Sequence, residues 1–421
     1  MSPTGRHRPC ILIYSPLSGH GHLDSWNDMF VGLFLKAGWN VLALTPDGPR
    51  LGERIEVRDI EGRDRLHVLT WRHDARPGIP ERAWLRLRRM AGHCARRAGL
   101  RKKRTSLPDL EASYLEPAEF ARRVRASVRE AKWRPDFVFN MYMDLYRTDT
   151  YRWKKFDKLF KWPWGGIRFV PRPAPTEAYY QIASCVGMCL LDEAVRTRYQ
   201  GQLPAKTFAF LPDITDASVP DEPTSLVREI ARRAAGRKVI FLGGTIGGNK
   251  NLARWLELIN RADPERWFFL QIGEVNFNAL TEADARALEN IEATLPENLL
   301  IHREYLPDER VFNDVIRACD IVFAVYRNFS ISSNMLGKAA AFERPILVAD
   351  NYLMGSRVNA YGIGRAVPED DVRQMLAAAT DLVNHPVPAE NFAAYRADFS
   401  ISKMNQALIE FVANRSGLKA S

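Results

Sequence analysis

Two stretches of the chain carry side chains suited to handling a proton or an anion. The first spans 15–26 (SPLSGHGHLDSW), where His20, His22 and Asp24 alternate with Gly19 and Gly21, directly after an apolar run. An imidazole with a pKa near neutrality can take a proton from a hydroxyl. His22 is the first candidate for that base and His20 the alternate. Asp24 can orient the imidazole or cap the helix that follows. The second stretch spans 241–250 (FLGGTIGGNK) and contains Gly243, Gly244, Thr245 and Lys250. Glycines let a backbone approach a phosphate closely, and a helix N-terminus adds amide donors and a favourable dipole. Lys250 adds a full positive charge. The spacing is neither the P-loop nor the dinucleotide fingerprint, which argues against an NTPase or a dehydrogenase.

A second anion cradle is read at 330–334 (SISSN), where Ser332, Ser333 and Asn334 precede a helix. A serine here can cap the helix or bind phosphate. Lys338 follows Asn334 by one turn, on the same face. A third turn, 350–355, follows the next apolar run. Asn140, Tyr142 and Asp144 end another run, and Gly273, Glu274 and Tyr305 end two more. All six are candidates for lining a cleft.

These groups need a frame, and the apolar runs supply one. Short buried-type strands are read at 10–14, 40–45, 66–71, 136–141, 187–191 and 207–211. After a polar, proline-rich linker at 213–224 the pattern restarts at 238–242, 267–272, 299–302, 321–325 and 346–349. Helix-length segments separate the strands, which predicts parallel βαβ units in two α/β, Rossmann-like, doubly wound domains facing a cleft. Ligands then bind at the carboxyl ends of the strands. The expected domains are 1–216 on the acceptor side and 225–399 on the donor side. A last helix, 400–421, packs back on the first.

Composition is that of a globular protein, and no apolar run reaches the roughly 18 residues that span a bilayer. The basic opening 1–16 reads as the approach to a first strand, not a leader. Five cysteines without a Cys-x-x-Cys point to a cytoplasmic protein, peripheral at most on the inner face of a membrane. Cys185 and Cys189 read as buried thiols. The net charge is +10, and residues 1–170 hold 33 Lys and Arg against 19 Asp and Glu. The densest stretch, 82–104, has ten basic residues and no acid. The segment 151–164 interleaves lysines with Tyr151, Trp153, Phe156, Phe160, Trp162 and Trp164. Both segments suit an anionic membrane surface; a solvated helix face with some core aromatics is the plainer reading of the same residues, and nucleic acid a lesser one. Nucleic acid is not expected as a partner.

The order of the glycine loop with Lys250, then HREYLPDERVFNDVIRACDIVFAVYR, SSNMLGKAAAFERPILVAD and GIGRAV, resembles the donor domain of the GT-B glycosyltransferases, nearest the family 4 group. The likeness covers about 237–368; the first half resembles the fold only in layout. It implies a hexosyltransferase (EC 2.4) that moves a sugar from a nucleotide-diphosphate-sugar donor to an acceptor hydroxyl on a glycan or lipid-linked sugar. Lys250 falls where that family places a lysine on the donor pyrophosphate. The family's two glutamates fall on Ser330 and Lys338; Lys338 cannot accept a hydrogen bond from ribose but can contact phosphate. The histidine loop is similar to the glycine-rich loop of the enzyme that adds N-acetylglucosamine to lipid I. A protein base argues for inversion and the family 4 likeness for retention, so both outcomes stay open. The likeness implies no metal and no cofactor beyond the donor.

Three other readings stand beside it. One is a nucleotide-sugar epimerase of the same fold. Another is a non-catalytic nucleotide-sugar-binding protein, suggested by the missing glutamates. The third reads His20, His22 and Asp24 as zinc ligands, similar to the metallo-β-lactamase-fold hydrolases. Against it, Ser25 stands where that motif needs another histidine, and a single strand precedes the motif.

Overall fold

The computed structural model describes residues 8–18, 22–58, 60–71, 115–304, 306 and 308–416. The basic stretch 82–104 lies outside them.

The first half of the chain runs β1 (Cys10–Tyr14), α1 (His22–Lys36), β2 (Asn40–Thr45), α2 (Gly48–Val57), β3 (Leu66–Thr70), α3 (Pro117–Ala131), β4 (Phe137–Asn140), α4 (Thr150–Leu159), β5 (Trp164–Arg168), β6 (Cys185–Leu190), α5 (Glu193–Gln202) and β7 (Thr207–Phe210). Its strands form one seven-stranded sheet in the order β3-β2-β1-β4-β5-β6-β7. β1 lies parallel to both β2 and β4, and the neighbours out to β3 and β6 are parallel too. Every residue of β1 is buried, as a strand covered on both faces requires, so it reads as an unbroken apolar run.

The second half continues α6 (Ser225–Ala234), β8 (Lys238–Gly243), α7 (Leu252–Arg261), β9 (Trp267–Ile272), α8 (Glu282–Thr294), β10 (Leu299–His302), α9 (Glu309–Ala318), β11 (Ile321–Ala324), α10 (Asn334–Ala341), β12 (Ile346–Ala349), α11 (Leu353–Tyr361), β13 (Gly364–Val367), α12 (Val372–Asn384), α13 (Ala389–Asp398) and α14 (Ile401–Ser416). Its six-stranded sheet has the order β10-β9-β8-β11-β12-β13, parallel throughout. In both sheets the order reverses next to the first strand, which leaves loops from neighbouring strands splayed apart at the carboxyl edge.

One compact unit holds the chain up to Leu190, Ala194–Ala209 and the chain from Leu408; the other holds Leu191–Glu193 and Phe210–Ala407. The proline-rich stretch 213–224 has no regular structure but is pinned within the second unit. Asn313 donates to the Asp216 and Ser218 carbonyls, and Asp314 accepts the Thr224 N–H. In the first unit Phe411 of α14 packs edge-on against Phe137 and Phe139 of β4. It occupies the space a side chain at Gly165 would need: a Cβ there would lie 2.7 Å from its ring.

The aromatic segment 151–164 corrects an expectation. Trp153, Phe156, Phe160 and Trp164 are fully buried, so they are core and contact no membrane. Trp153 stacks on Trp164 at 5.5 Å and Phe156 on Phe160 at 4.6 Å. The spacing of Trp153, Phe156 and Phe160 follows one inward face of α4. Among these aromatics Tyr151 stays on the surface. α2, α4, β5 and β13 were not anticipated from the sequence. No helix among the described residues is long and apolar enough to cross a membrane. Cys10, Cys185, Cys189 and Cys319 are buried free thiols, and burial pushes the Cys185 thiol up to about 12.

Candidate functional site

In the second unit the loop after β8 is built around two close backbone approaches. Gly244 sits at φ +89° and Gly273, after β9, at φ +137°. A Cβ on Gly273 would lie 2.1 Å from the Gly244 carbonyl oxygen, so the loops touch backbone to backbone. The Gly244 N–H donates to the Ile272 carbonyl and the Ile246 N–H to that of Glu274. These two amides are therefore already committed to the neighbouring loop. Thr245 and Glu274 are exposed at the same edge.

Lys250 closes a single 3₁₀ turn, Gly248–Lys250. Its side chain doubles back and is buried. Nζ donates to the Gly243 carbonyl at 3.0 Å and to the Tyr326 hydroxyl at 2.7 Å. It also lies 4.1 Å from the Tyr326 ring centre. An ammonium has three donors, and both of these acceptors are neutral. Among the described residues Lys250 forms no ion pair. A buried cation without an anion is costly, so the turn at Gly243 and Gly244 favours one.

Two residues not singled out from the sequence hold this loop. Arg327 gives its N–H to the Asn249 carbonyl and Nη2 to the Gly248 carbonyl at 2.6 Å and to Asp284 at 2.7 Å. Burial would raise the Asp284 carboxyl. The Thr281 hydroxyl, the Ala253 amide and Arg327 outweigh it and hold the group below the ordinary carboxylate value. Asn251 adopts φ +56°, and its side-chain amide reaches the Val325 and Glu369 carbonyls. The sequence signal was the polar pair Tyr326-Arg327 immediately after an apolar strand.

The second cradle is more internal than the sequence implied. Ser333 caps α10 by accepting the Met335 N–H. Ser332 donates to Asp213 at 3.0 Å and accepts from Arg357 at 2.8 Å. Asn334 meets the Thr215 hydroxyl. Lys338 is buried and reaches the Glu309 carboxylate at 2.8 Å and the Asn313 side-chain oxygen. Its charge is thus already paired in this structure, unlike that of Lys250. An open hollow of about 600 Å³ lies at the end of β10, lined by Glu292, Leu295, Ile301, His302, Arg303 and Glu304. One of its lining residues, His302, accepts the Gly273 N–H through its backbone carbonyl.

In the first unit Gly19, His20 and Gly21 lie outside the described residues, as do the side chain of His22 and Tyr305 of the second unit. The backbone of His22 opens α1. Asp24, one turn in, faces Arg54 of α2 at 3.8 Å. Asn140 is fully buried; it donates to the Tyr146 hydroxyl and accepts the Tyr142 N–H. Asp144 accepts the N–H groups of Phe169 and Val170, shaping the turn after β5. The Tyr142 ring packs 5.1 Å from Phe169, and burial pushes its hydroxyl up to about 12. These strand-end residues hold the rim in shape. Among the described residues no cluster of three or more His, Cys, Asp or Glu could hold a metal.

No protein-family model matches the chain, and no curated protein matches it in sequence. Solved structures do match. A glycosyltransferase from Rickettsia africae ESF-5 superposes with a TM-score of 0.64 at 12% identity, over 97% of this chain and 99% of that one. Anabaena HepE, in complex with UDP and glucose, gives 0.62 at 10%, over 97% and 100%. An E. coli trehalose-6-phosphate structure bound with UDP-2-fluoro glucose gives 0.63 at 10%, over 96% and 98%. The chain has the GT-B fold. In GT-B terms the seven-stranded sheet is the amino-terminal Rossmann-like domain and the six-stranded sheet the carboxyl-terminal one. The loop holding Lys250 belongs to the latter.

Proposed function

We propose that the protein is a glycosyltransferase that moves a sugar from a nucleotide-diphosphate donor to an acceptor hydroxyl. The observation that supports this most is the buried Lys250 ammonium, aimed at the Gly243–Gly244 turn with no ion-pair partner among the described residues. In a GT-B fold, two of whose structural neighbours carry UDP or a UDP-sugar, that position suits the donor pyrophosphate. The hollow beside His302 and Arg303 then takes the nucleoside. Stabilising the departing diphosphate is the main electrostatic task in such a transfer, and Lys250 supplies the charge for it. His22, at the start of α1, takes the acceptor proton, with His20 as the alternate and Asp24 in support. The acceptor is a glycan or a lipid-linked sugar, and the reaction runs in the cytoplasm without a divalent metal.

The test is calorimetric titration with UDP, other nucleoside diphosphates and their sugars, followed by turnover with and without EDTA. No binding to any nucleoside diphosphate overturns the reading. A second reading, a binding protein without transfer, draws on Lys338: its charge is neutralised by Glu309 where the family has an acid. Donor binding without turnover on any acceptor supports that reading. An altered sugar released without an acceptor identifies an epimerase.

A further inference from the structure

α3 and α4 pack side by side through Phe120, Phe156 and Phe160, with Phe120 stacked on Phe156 at 5.5 Å. Their outer sides carry exposed cations. On α4, Lys154, Lys155 and Lys158 follow Tyr151 at helical spacing, and all four are exposed. On α3, Arg122 and Arg129 are exposed, and Lys132 and Arg134 continue past its end. Lys161, just beyond α4, extends the other stripe. Among the described residues none of these eight cations forms an ion pair. Two acids, Glu130 and Asp157, share the two helices with these cations, and the others nearby are engaged elsewhere: Glu116 by Arg147 and Arg152, Asp149 by Arg152, and Glu119 by Arg123.

We propose that this α3–α4 face docks on an anionic lipid bilayer. Two adjacent basic stripes make a broad positive plane, which complements a surface of lipid phosphates. Lysine stems lie along apolar material while their ammonium groups stay at headgroup level. Tyr151, 77% exposed at the start of the α4 stripe, is an aromatic of the interfacial kind. Among the described residues the face offers no row of exposed aromatic rings on which nucleic-acid bases would stack. The proposal is independent of the transfer reaction and fails or stands separately from it.

The experiment is co-sedimentation of the full chain with vesicles of phosphatidylcholine alone or mixed with phosphatidylglycerol. Binding is expected to the mixed vesicles only, and to fall steeply as salt is raised. The combined variant Arg129→Gln, Lys154→Gln, Lys155→Gln, Lys158→Gln is expected to bind at least about a hundredfold more weakly at low salt, with an unchanged melting temperature because all four side chains are exposed. A control variant, Arg228→Gln, Arg232→Gln, Arg286→Gln, Arg373→Gln, removes the same charge from the other unit and is expected to bind like wild type. The proposal is overturned if wild type binds neither vesicle, or both equally. It is also overturned if the two variants lose binding alike, if the first binds like wild type, or if wild type holds RNA or polyphosphate but no vesicle.

Discussion

The ammonium of Lys250 and the hydroxyl of Tyr326, 76 residues apart in the chain, share a hydrogen bond beneath the glycine loop of the second unit. This pairing aims a buried ammonium that forms no ion pair among the described residues. Lys250→Ala is therefore expected to weaken nucleoside-diphosphate binding by about 1.5–3 kcal/mol, the worth of a hydrogen bond to a charged group. That is about a tenfold to hundredfold rise in Kd. Tyr326→Phe keeps the ring and removes one acceptor, so a loss of about 0.5–1.5 kcal/mol is expected. Calorimetry on both variants checks the order; equal affinities in wild type and Lys250→Ala refute it.

Asp284 and Arg327 set an acid limit on the same loop. The Asp284 carboxyl is held below its unfolded value, so its contribution to stability is present above the unfolded pKa near 4 and is lost as pH falls through the lower folded value. Urea midpoints measured from pH 6 downward should drop for wild type in that acid range. Asp284→Asn should be less stable at pH 6 and flatter below pH 4. Arg327→Ala strips one partner from a buried carboxylate and should cost about 1–3 kcal/mol. A wild type and Asp284→Asn with parallel pH profiles would contradict the assignment.

Gly273 has no room for a side chain. Gly273→Ala places a Cβ against the Gly244 carbonyl and forces alanine to a positive φ, for an expected loss of at least about 2 kcal/mol. Gly52, within α2, has open space around it. Gly52→Ala should be neutral or stabilising by up to about 1 kcal/mol. Thermal melts of the two variants measure the contrast, and similar melting temperatures would rule out the close approach.

His22→Ala should lower turnover by roughly 10²–10⁴-fold, the usual worth of a general base, with donor affinity nearly intact. Loss of donor binding instead would move His22 to the donor side. Full activity would pass the role to His20 or Asp24. The anomeric configuration of the product, read by NMR, separates inversion from retention.

Much of the frame was legible because parallel strands covered on both faces are plain apolar runs. CILIY, NVLALT and WFFLQI are of this kind. β5 (WGGIR) was missed, because two glycines and an arginine break the run; those glycines serve Phe411 and the Asn140 carbonyl, which no local pattern reveals. α2 was not anticipated, although Asp47 caps it and Pro49 stands in its first turn; the pair Asp-Gly suits a plain turn equally well. In the second unit the glycine loop and Lys250 stood out by composition. The partners that decide what each lysine does did not. Tyr326 for Lys250 and Glu309 for Lys338 lie 76 and 29 residues away, and only the tertiary fold brings them together.

Phe411 has a consequence for how the chain matures on the ribosome. All seven strands of the first unit emerge by Phe210, yet the gap above Gly165 stays open until α14 leaves the exit tunnel. The second unit, nearly contiguous from Phe210 to Ala407, has its whole sheet in hand earlier and can fold first. The first unit then waits as an incomplete layer, with the sides of Phe137 and Phe139 that meet Phe411 uncovered, for about two hundred further residues of synthesis, the kind of delay in which chaperones engage nascent chains. Stalling translation just before Leu408 would hold it in that state.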